Sequence, residues 1–297
     1  MSRMIRIFHV DAFTDAPFTG NPATVVLDGD GLSDDQMRLV AREFAKGDAA
    51  FVLPATAPDH DLTVRFFMPG KEAPFVGHAT LAAHAVLARH APQALRRQSG
   101  RAGIVEVRML ADGSFAISQP PPVLAREPSA VEINALLPLL GLSAADLDPA
   151  CPPRIAGTAS TRLIIALRDV AALDAIRPQL PQLAGMSAPL GAHGYFLFAR
   201  SGARDGCMTE SRMFCPALGI DEDPVSGNAH AMLAVLLHER GLLAPVAGQA
   251  QFAGAQGRHV GRPGRVQVSM QFDAAGRPVA VTIAGQAVVV LEGSAVF

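Results

Sequence analysis

The chain has 297 residues, 49% of them hydrophobic and 18% charged, with a formal net charge of −2. That length allows one large or two medium domains with ample core. Scattered basic residues, one Tyr and no Trp leave neither the basic face nor the aromatic platforms of a nucleic-acid binder, so no nucleic-acid partner is expected. Three cysteines, Cys151, Cys207 and Cys215, are an odd number without metal-ligand spacing, which fits a reducing compartment better than a disulfide framework. The N-terminal apolar run is too short for a signal peptide, and no run approaches the ~18 residues of a membrane span. The expected setting is cytoplasmic, with no membrane partner.

Residues 4–13 and 22–28 read as two strands joined by the turn-rich D-A-P-F-T-G-N-P, where Asn21-Pro22 after Gly20 sets a tight bend. Ser33 and Gln36 form a capping box, and Met37, Val40, Ala41 and Phe44 then share one face of a helix ending near Lys46-Gly47. Asp48 follows at once and heads a small apolar strand, Ala49 to Leu53. An acid at that junction, beside a glycine, either points into a cleft or satisfies local amides as a turn carboxylate. Residues 62–67 alternate as a strand, a helix runs from Gly77 to about Arg89, and residues 104–110 and 115–119 make a hairpin around Asp112-Gly113. The proline run between Gln119 and Val123 is the best boundary in the chain.

Beyond it, Ser129 and Glu132 cap a helix to about Leu140, kinked or ended by Pro138, with strands at about 154–158 and 161–167. A short helix near 170–177 and strands near 193–200 and 209–214 lead to R-M-F-C-P-A-L-G-I-D-E-D-P-V-S-G-N-A-H. There Gly227 is expected to turn the backbone tightly before an apolar helix, Ala229 to Leu237. After Gly241 only strand-like segments follow, at 249–254, 264–272, 279–284 and 286–291.

The same phrase occurs twice. Arg65, Phe67 and Pro69 match Arg212, Phe214 and Pro216; Pro74, Gly77 and Ala79 match Pro224, Gly227 and Ala229, with three extra residues in the later copy. A repeat of half the chain length argues for two similarly folded halves rather than a chance likeness of two Gly-initiated helices. The predicted fold is α+β: two halves, each a curved sheet wrapped around one long, nearly all-apolar helix. A helix that opens just after Ser226, Gly227 and Asn228 presents unpaired N–H groups, a ready anion site. Asp223 places a carboxylate beside it, which points to proton transfer on an acidic substrate.

Nucleotide cofactors are not signalled, since neither G-x-G-x-x-G after a strand nor G-x-x-x-x-G-K-[ST] occurs. His78, His84 and His230 lie on largely buried helices without a His-x-x-x-His pair, so no metal is expected. The turns before the two helices hold Val76 and Ser226, which leaves a two-thiol racemase no nucleophile there. His78, just after Gly77, either caps its own helix or reaches the cleft, where the helix dipole favours a neutral ring. What remains is acid–base chemistry with Asp48 and Asp223, and Gly77-His78 and Gly227-Asn228 as the holding groups.

The segments H-V-D-A-F-T-D-A-P-F-T-G-N-P-A-T-V-V-L, R-F-F-M-P-G-K-E-A-P-F-V-G-H-A-T and the acid-rich turn above resemble the phenazine-biosynthesis PhzF-like family, with a likeness extending through residues 261–268. The resemblance implies a diaminopimelate-epimerase-like fold of two pseudo-symmetric domains, an interdomain site, no cofactor and a homodimer. The implied domains are 1–119 with a returning strand 286–297, and 120–285. The family reaction is isomerisation of trans-2,3-dihydro-3-hydroxyanthranilate by proton transfer. Carried over by position, its catalytic His is His78 and its Asp is Asp223, while Asp48 replaces the family Glu and Asn228 the family Ser. The implied function is a cofactor-independent isomerase with Asp48, His78 and Asp223 catalytic, and Asn21, Gly77, Ser226, Gly227 and Asn228 holding a small acidic substrate. An amino-acid or hydroxy-acid racemase and a non-catalytic small-molecule binder are the alternatives.

Overall fold

A computed structural model of the chain describes residues 3–44, 47–68, 70–157 and 160–296. Two compact units are present, Met1–Gln119 with Ala284–Phe297, and Pro120–Ile283. The first contains β1 (Met4–Ala12), β2 (Asn21–Val26), α1 (Asp34–Phe44), β3 (Asp48–Pro54), β4 (Leu62–Met68), β5 (Lys71–Ala73), α2 (Gly77–His90), β6 (Leu95–Gly100), β7 (Gly103–Met109) and β8 (Phe115–Gln119). The second contains α3 (Ala130–Leu136), β9 (Arg154–Ala156), β10 (Arg162–Leu167), α4 (Val170–Ala175), α5 (Leu180–Leu190) and β11 (Tyr195–Ala199). It continues with β12 (Thr209–Cys215), β13 (Ile220–Asp223), α6 (Gly227–Glu239), β14 (Gln249–Gln256), β15 (Gly264–Phe272) and β16 (Pro278–Gly285), during which the chain re-enters the first unit. β17 (Ala287–Val296) then pairs antiparallel with β1 along its whole length.

Strand senses repeat between the units. In the first, β1–β2 is antiparallel, β2–β3 parallel, β3–β4 antiparallel, β4–β6 parallel and β6–β7 antiparallel. The second follows the same order with β9–β10, β10–β11, β11–β12, β12–β14 and β14–β15. In each, a short strand (β5 or β13) folds back on the end of its predecessor, and a helix (α2 or α6) then crosses to the parallel partner. The sequence repeat is therefore a repeat of topology.

Side-chain alternation assigns the two faces of the first sheet. Phe8, Val10, Val25, Ala50, Val52, Val64 and Phe66 meet Ala79, Ala82, Ala83 and Val86 of α2. Their neighbours Ile5, Ile7, Val26, Ala49, Phe51 and Phe67 meet Met37, Val40 and Ala41 of α1. Helix α1 is amphipathic and covers the sheet with one stripe; its start is fixed by the reciprocal Ser33–Gln36 bonds. In the second unit α3, α4 and α5 cover the face bearing Leu163, Ile165, Leu167, Tyr195 and Leu197. From the opposite face Phe196 meets His230 of α6 edge-on, at 5.2 Å between ring centres.

The recurring Arg-x-Phe spacing has a physical reason: residues two apart on a strand share a face. Arg65 forks onto Glu72 through two 2.9 Å bonds, and Arg212 onto Glu222 at 3.0 and 2.8 Å. Each guanidinium also lies over the ring two residues on, 5.0 Å from Phe67 and 4.9 Å from Phe214. The bracket ties each hairpin strand to its partner and so sets where the central helix begins.

Several elements differ from the sequence expectations. β5, β6, β13 and α5 are additional. β6 reads L-R-R-Q-S-G, and its inward positions are the buried polar residues Arg96 and Gln98. α5 contains Pro181, Gly185 and Pro189, yet Pro181 lies in the first turn, where no intrahelical N–H is required, and Leu183, Ser187 and Leu190 form its buried stripe. The helix from Ser129 ends as α-helix at Leu136 and tightens to a 3-10 turn through Pro138 to Leu140. Gly227 is simply the first helical residue; extended Ser226 (φ −114°, ψ 104°) makes the turn. Lys46, where α1 was expected to end, and the repeat position Pro69 lie outside the described residues.

Removing one partner of a buried ion pair leaves an uncompensated charge. Glu222→Ala exposes that cost at Arg212, whose side chain is 8% accessible, and is expected to lower stability by about 3 kcal/mol in urea unfolding. Asp28→Ala, at the half-exposed pair with Arg6, is expected to cost at most about 1 kcal/mol.

Candidate active site

In the first unit, parallel pairing of β2 with β3 sets Asp48 opposite Ala23, two residues beyond Asn21, which is buried at the start of β2. Close approach is required here: a Cβ on Gly47 would sit 3.3 Å from the Pro22 carbonyl oxygen. Asp48 Oδ2 lies 3.4 Å from Nε2 of His78, and the two side chains are 14% and 15% accessible. Asp48 Oδ1 accepts no hydrogen bond among the described residues. Burial raises the Asp48 pKa from 3.8 to about 6, partly offset by the positive charge of Lys71. His78 occupies the second position of α2, after Gly77. The cap residue Val76 offers no side-chain acceptor, and its carbonyl takes the Thr80 hydroxyl proton at 2.9 Å. Asp48 is thus a buried acid paired with an imidazole rather than a turn carboxylate bonded to local amides.

In the second unit, Asp223 ends β13 half-buried, opposite Met213. Ser226 caps α6 through its Oγ, which accepts the Ala229 N–H at 3.3 Å. Its carbonyl accepts a bond from His230 Nδ1 at 2.8 Å and its N–H donates to Gln256 Oε1 at 3.1 Å. With its polar groups engaged this way, Ser226 builds the turn. Gly227 is buried, and Asn228, at the position His78 holds in the first unit, is exposed.

Other candidates resolve on burial. His84 and His230 have pKa values lowered to about 4 by burial, so both rings are neutral at physiological pH. His84 bonds Gln98 at 3.0 Å, and His230 carries its proton on Nδ1 because its partner there is a carbonyl. Burial raises the thiols of Cys151 to about 11 and Cys215 to about 12, which makes them inert core residues. Among the described residues, no three His, Cys, Asp or Glu side chains gather at metal-holding distance. No helix among them is long and apolar enough to cross a membrane.

Sequence reasoning missed Glu72, Glu222, Lys71 and Gln256. The two glutamates were legible, since each stands two residues before the matched proline. Lys71 and Gln256 act across strands and leave no local signal.

A family model of phenazine biosynthesis-like proteins matches residues 10–293. The chain belongs to this family. It is 39% identical to an uncharacterized isomerase, YddE, of Salmonella typhimurium, over 97% of each chain. It is 30% identical to trans-2,3-dihydro-3-hydroxyanthranilate isomerase of Pseudomonas aeruginosa, over 98% of this chain and 99% of that one. Among solved structures, a PhzF-family protein of Bacillus anthracis matches with a TM-score of 0.88 at 25% identity, over 99% of this chain and all of that one. A hydroxyproline epimerase of Agrobacterium vitis matches with a TM-score of 0.66 at 13% identity, over 99% and 93%, a likeness of fold alone. The fold is therefore α+β and epimerase-like, and the protein is an isomerase-type enzyme.

A carboxyl whose pKa is raised in the folded state favours folding below its unfolded pKa and loses that contribution as pH rises through the folded value. The interval from 3.8 to about 6 at Asp48 corresponds to about 3 kcal/mol. Asp48→Asn is accordingly expected to gain on the order of 2–3 kcal/mol over the parent at pH 8 and almost nothing at pH 4, read by chemical unfolding at each pH.

Proposed function

We propose that the protein is a cofactor-independent isomerase that moves a proton on a small carboxylate-bearing substrate, with Asp48 as the group that takes and returns it. The observation that carries the reading is the buried Asp48 carboxylate beside His78, with a pKa of about 6. A group with that proton affinity is largely ionised at neutral pH yet still holds a proton well, the condition under which general acid–base catalysis is efficient. The substrate C–H bond breaks as the Asp48 O–H bond forms, the electron pair shifts the double bond, and a proton returns at the new carbon. His78 positions the substrate and shares the proton. Asp223 is the second acid–base group, assigned from its place in the family motif. Asn228 offers a donor and an acceptor where the family has a hydroxyl. The substrate's acidic group is held at the first-turn amides beside Gly77-His78 or Gly227-Asn228.

Asp in place of Glu shortens the reach by about 1.3 Å, close to half a hydrogen-bond length. That change bears on which substrate fits, and leaves proton transfer intact. The first substrate to test is trans-2,3-dihydro-3-hydroxyanthranilate, followed by a panel of amino and hydroxy acids.

In deuterated water, proton NMR is expected to show deuterium at the newly protonated carbon of the product. Asp48→Ala is expected to lower turnover at least about 100-fold with the fold retained; substantial remaining activity would remove Asp48 from the mechanism. Because the ionised carboxylate is the reactive form, kcat/KM should rise with pH through about 6 and then level off. A profile flat across that range would assign the base elsewhere.

A further inference from the structure

Gln256 ends β14 and is 2% accessible, and its amide bridges the two ends of the Asp223–Ser226 turn. Oε1 accepts the Ser226 N–H at 3.1 Å, and Nε2 donates to the Asp223 carbonyl at 2.6 Å. We propose that Gln256 is a positioning residue for the reaction: its amide fixes Asp223 relative to the first turn of α6 and so sets the geometry at which Asp223 meets the substrate. This rests on the reading that Asp223 takes part in the acid–base work.

Three features support the assignment. The amide is engaged at both ends and in one sense only, since its oxygen faces a donor and its nitrogen an acceptor. Within the turn Pro224 has no N–H, so one backbone donor that could brace it is missing. The strand also ends directly against the turn. β12–β14 pairing sets Gln256 opposite Ser211, and Gly257 adopts φ 92°, where an added Cβ would lie 2.7 Å from the Pro224 carbonyl oxygen. A side chain at 257 would drive the strand end away.

The comparison between units separates a positioning role from a folding requirement. The matched registers are Leu62 with Gln98 and Thr209 with Gly254. Two residues on, the position of Gln256 in the first unit is Gly100, which has no side chain to form a clamp. The first unit also lacks a side-chain cap at Val76. The same hairpin, turn and helix therefore form without the amide, and the amide is present only in the unit that carries Asp223.

Gln256→Met removes both bonds at similar volume. Its kcat is expected to fall about 10- to 100-fold, the loss of two bonds that hold the turn, with KM within about threefold. Exchange of the Ser226 amide, followed by NMR, should quicken at least about 10-fold as its acceptor is lost. Gln256→Glu adds a signature that a merely structural role would not produce. Ionised, Glu still accepts from Ser226 but repels the Asp223 carbonyl; protonated, it can donate to that carbonyl again. The ratio of its kcat to that of the parent should therefore rise at least about fivefold from pH 8 to pH 5. A folded Gln256→Met enzyme with parental kcat, or a Gln256→Glu ratio flat with pH, overturns the proposal. Should Gln256→Met fail to fold, the Gln256→Glu ratio decides. Should the parent turn over no substrate, the isomerase reading fails, and unchanged Ser226 exchange in Gln256→Met separately overturns the clamp.

Discussion

Ten of the thirteen residues of α6 are buried, and eight of the fourteen of α2, so neither helix has a face it can leave in water. A helix of that kind is stable only when other elements cover it on all sides, because burying its apolar surface is the main favourable term available to it. Strands on both sides of each crossover supply that cover, and the parallel partners β4–β6 and β12–β14 are joined through these helices. Once the helix bodies are enclosed, the candidate residues of each unit stand at or beside the first turn, where backbone N–H groups have no intrahelical partner. The Arg65–Glu72 and Arg212–Glu222 brackets fix where those turns begin, and the candidate residues follow from that placement.

The two units share a scaffold and differ at the entrance to the central helix. The first turn of α2 is left uncapped by Val76, and beside it stand a carboxylate and an imidazole 3.4 Å apart. The corresponding turn before α6 is braced at the N–H, Oγ and carbonyl of Ser226. One unit thus carries an acid–imidazole pair in a desolvated setting, the other a hydrogen-bonded turn with an exposed amide side chain. Burial of Asp48 destabilises its ionised form, and the same burial gives it a proton affinity close to neutrality. Local instability and raised proton affinity at this residue have a single cause.

Much of this was legible in the chain. The capping boxes at Ser33–Gln36 and Ser129–Glu132 are set by residues three apart and appear as expected. The alternation in β1 and β4 marks the faces of the first sheet, and the repeated Arg-x-Phe and Gly-initiated helix mark the duplication. β6 was hidden because its inward side chains are polar, and only partners from elsewhere in the fold make burial of Arg96 and Gln98 tolerable. α5 was hidden by two prolines whose effect depends on their place within the helix. Glu72 and Glu222 were visible at equal spacing, yet their meaning depends on the arginine across the hairpin.

By itself, the sequence determined the duplication, the apolar character of the two central helices, and which residue types stand at their entrances. These are local properties, set by spacing, capping and periodicity along one stretch of chain. Only the tertiary structure decided that Asp48 is desolvated against His78, that Ser226 caps α6 and holds its turn, and that Gln256 reaches Asp223 from a strand 33 residues away. Burial, proton affinity and hydrogen-bond partners depend on what distant segments bring to a point in space. No pattern of neighbours in the chain encodes them.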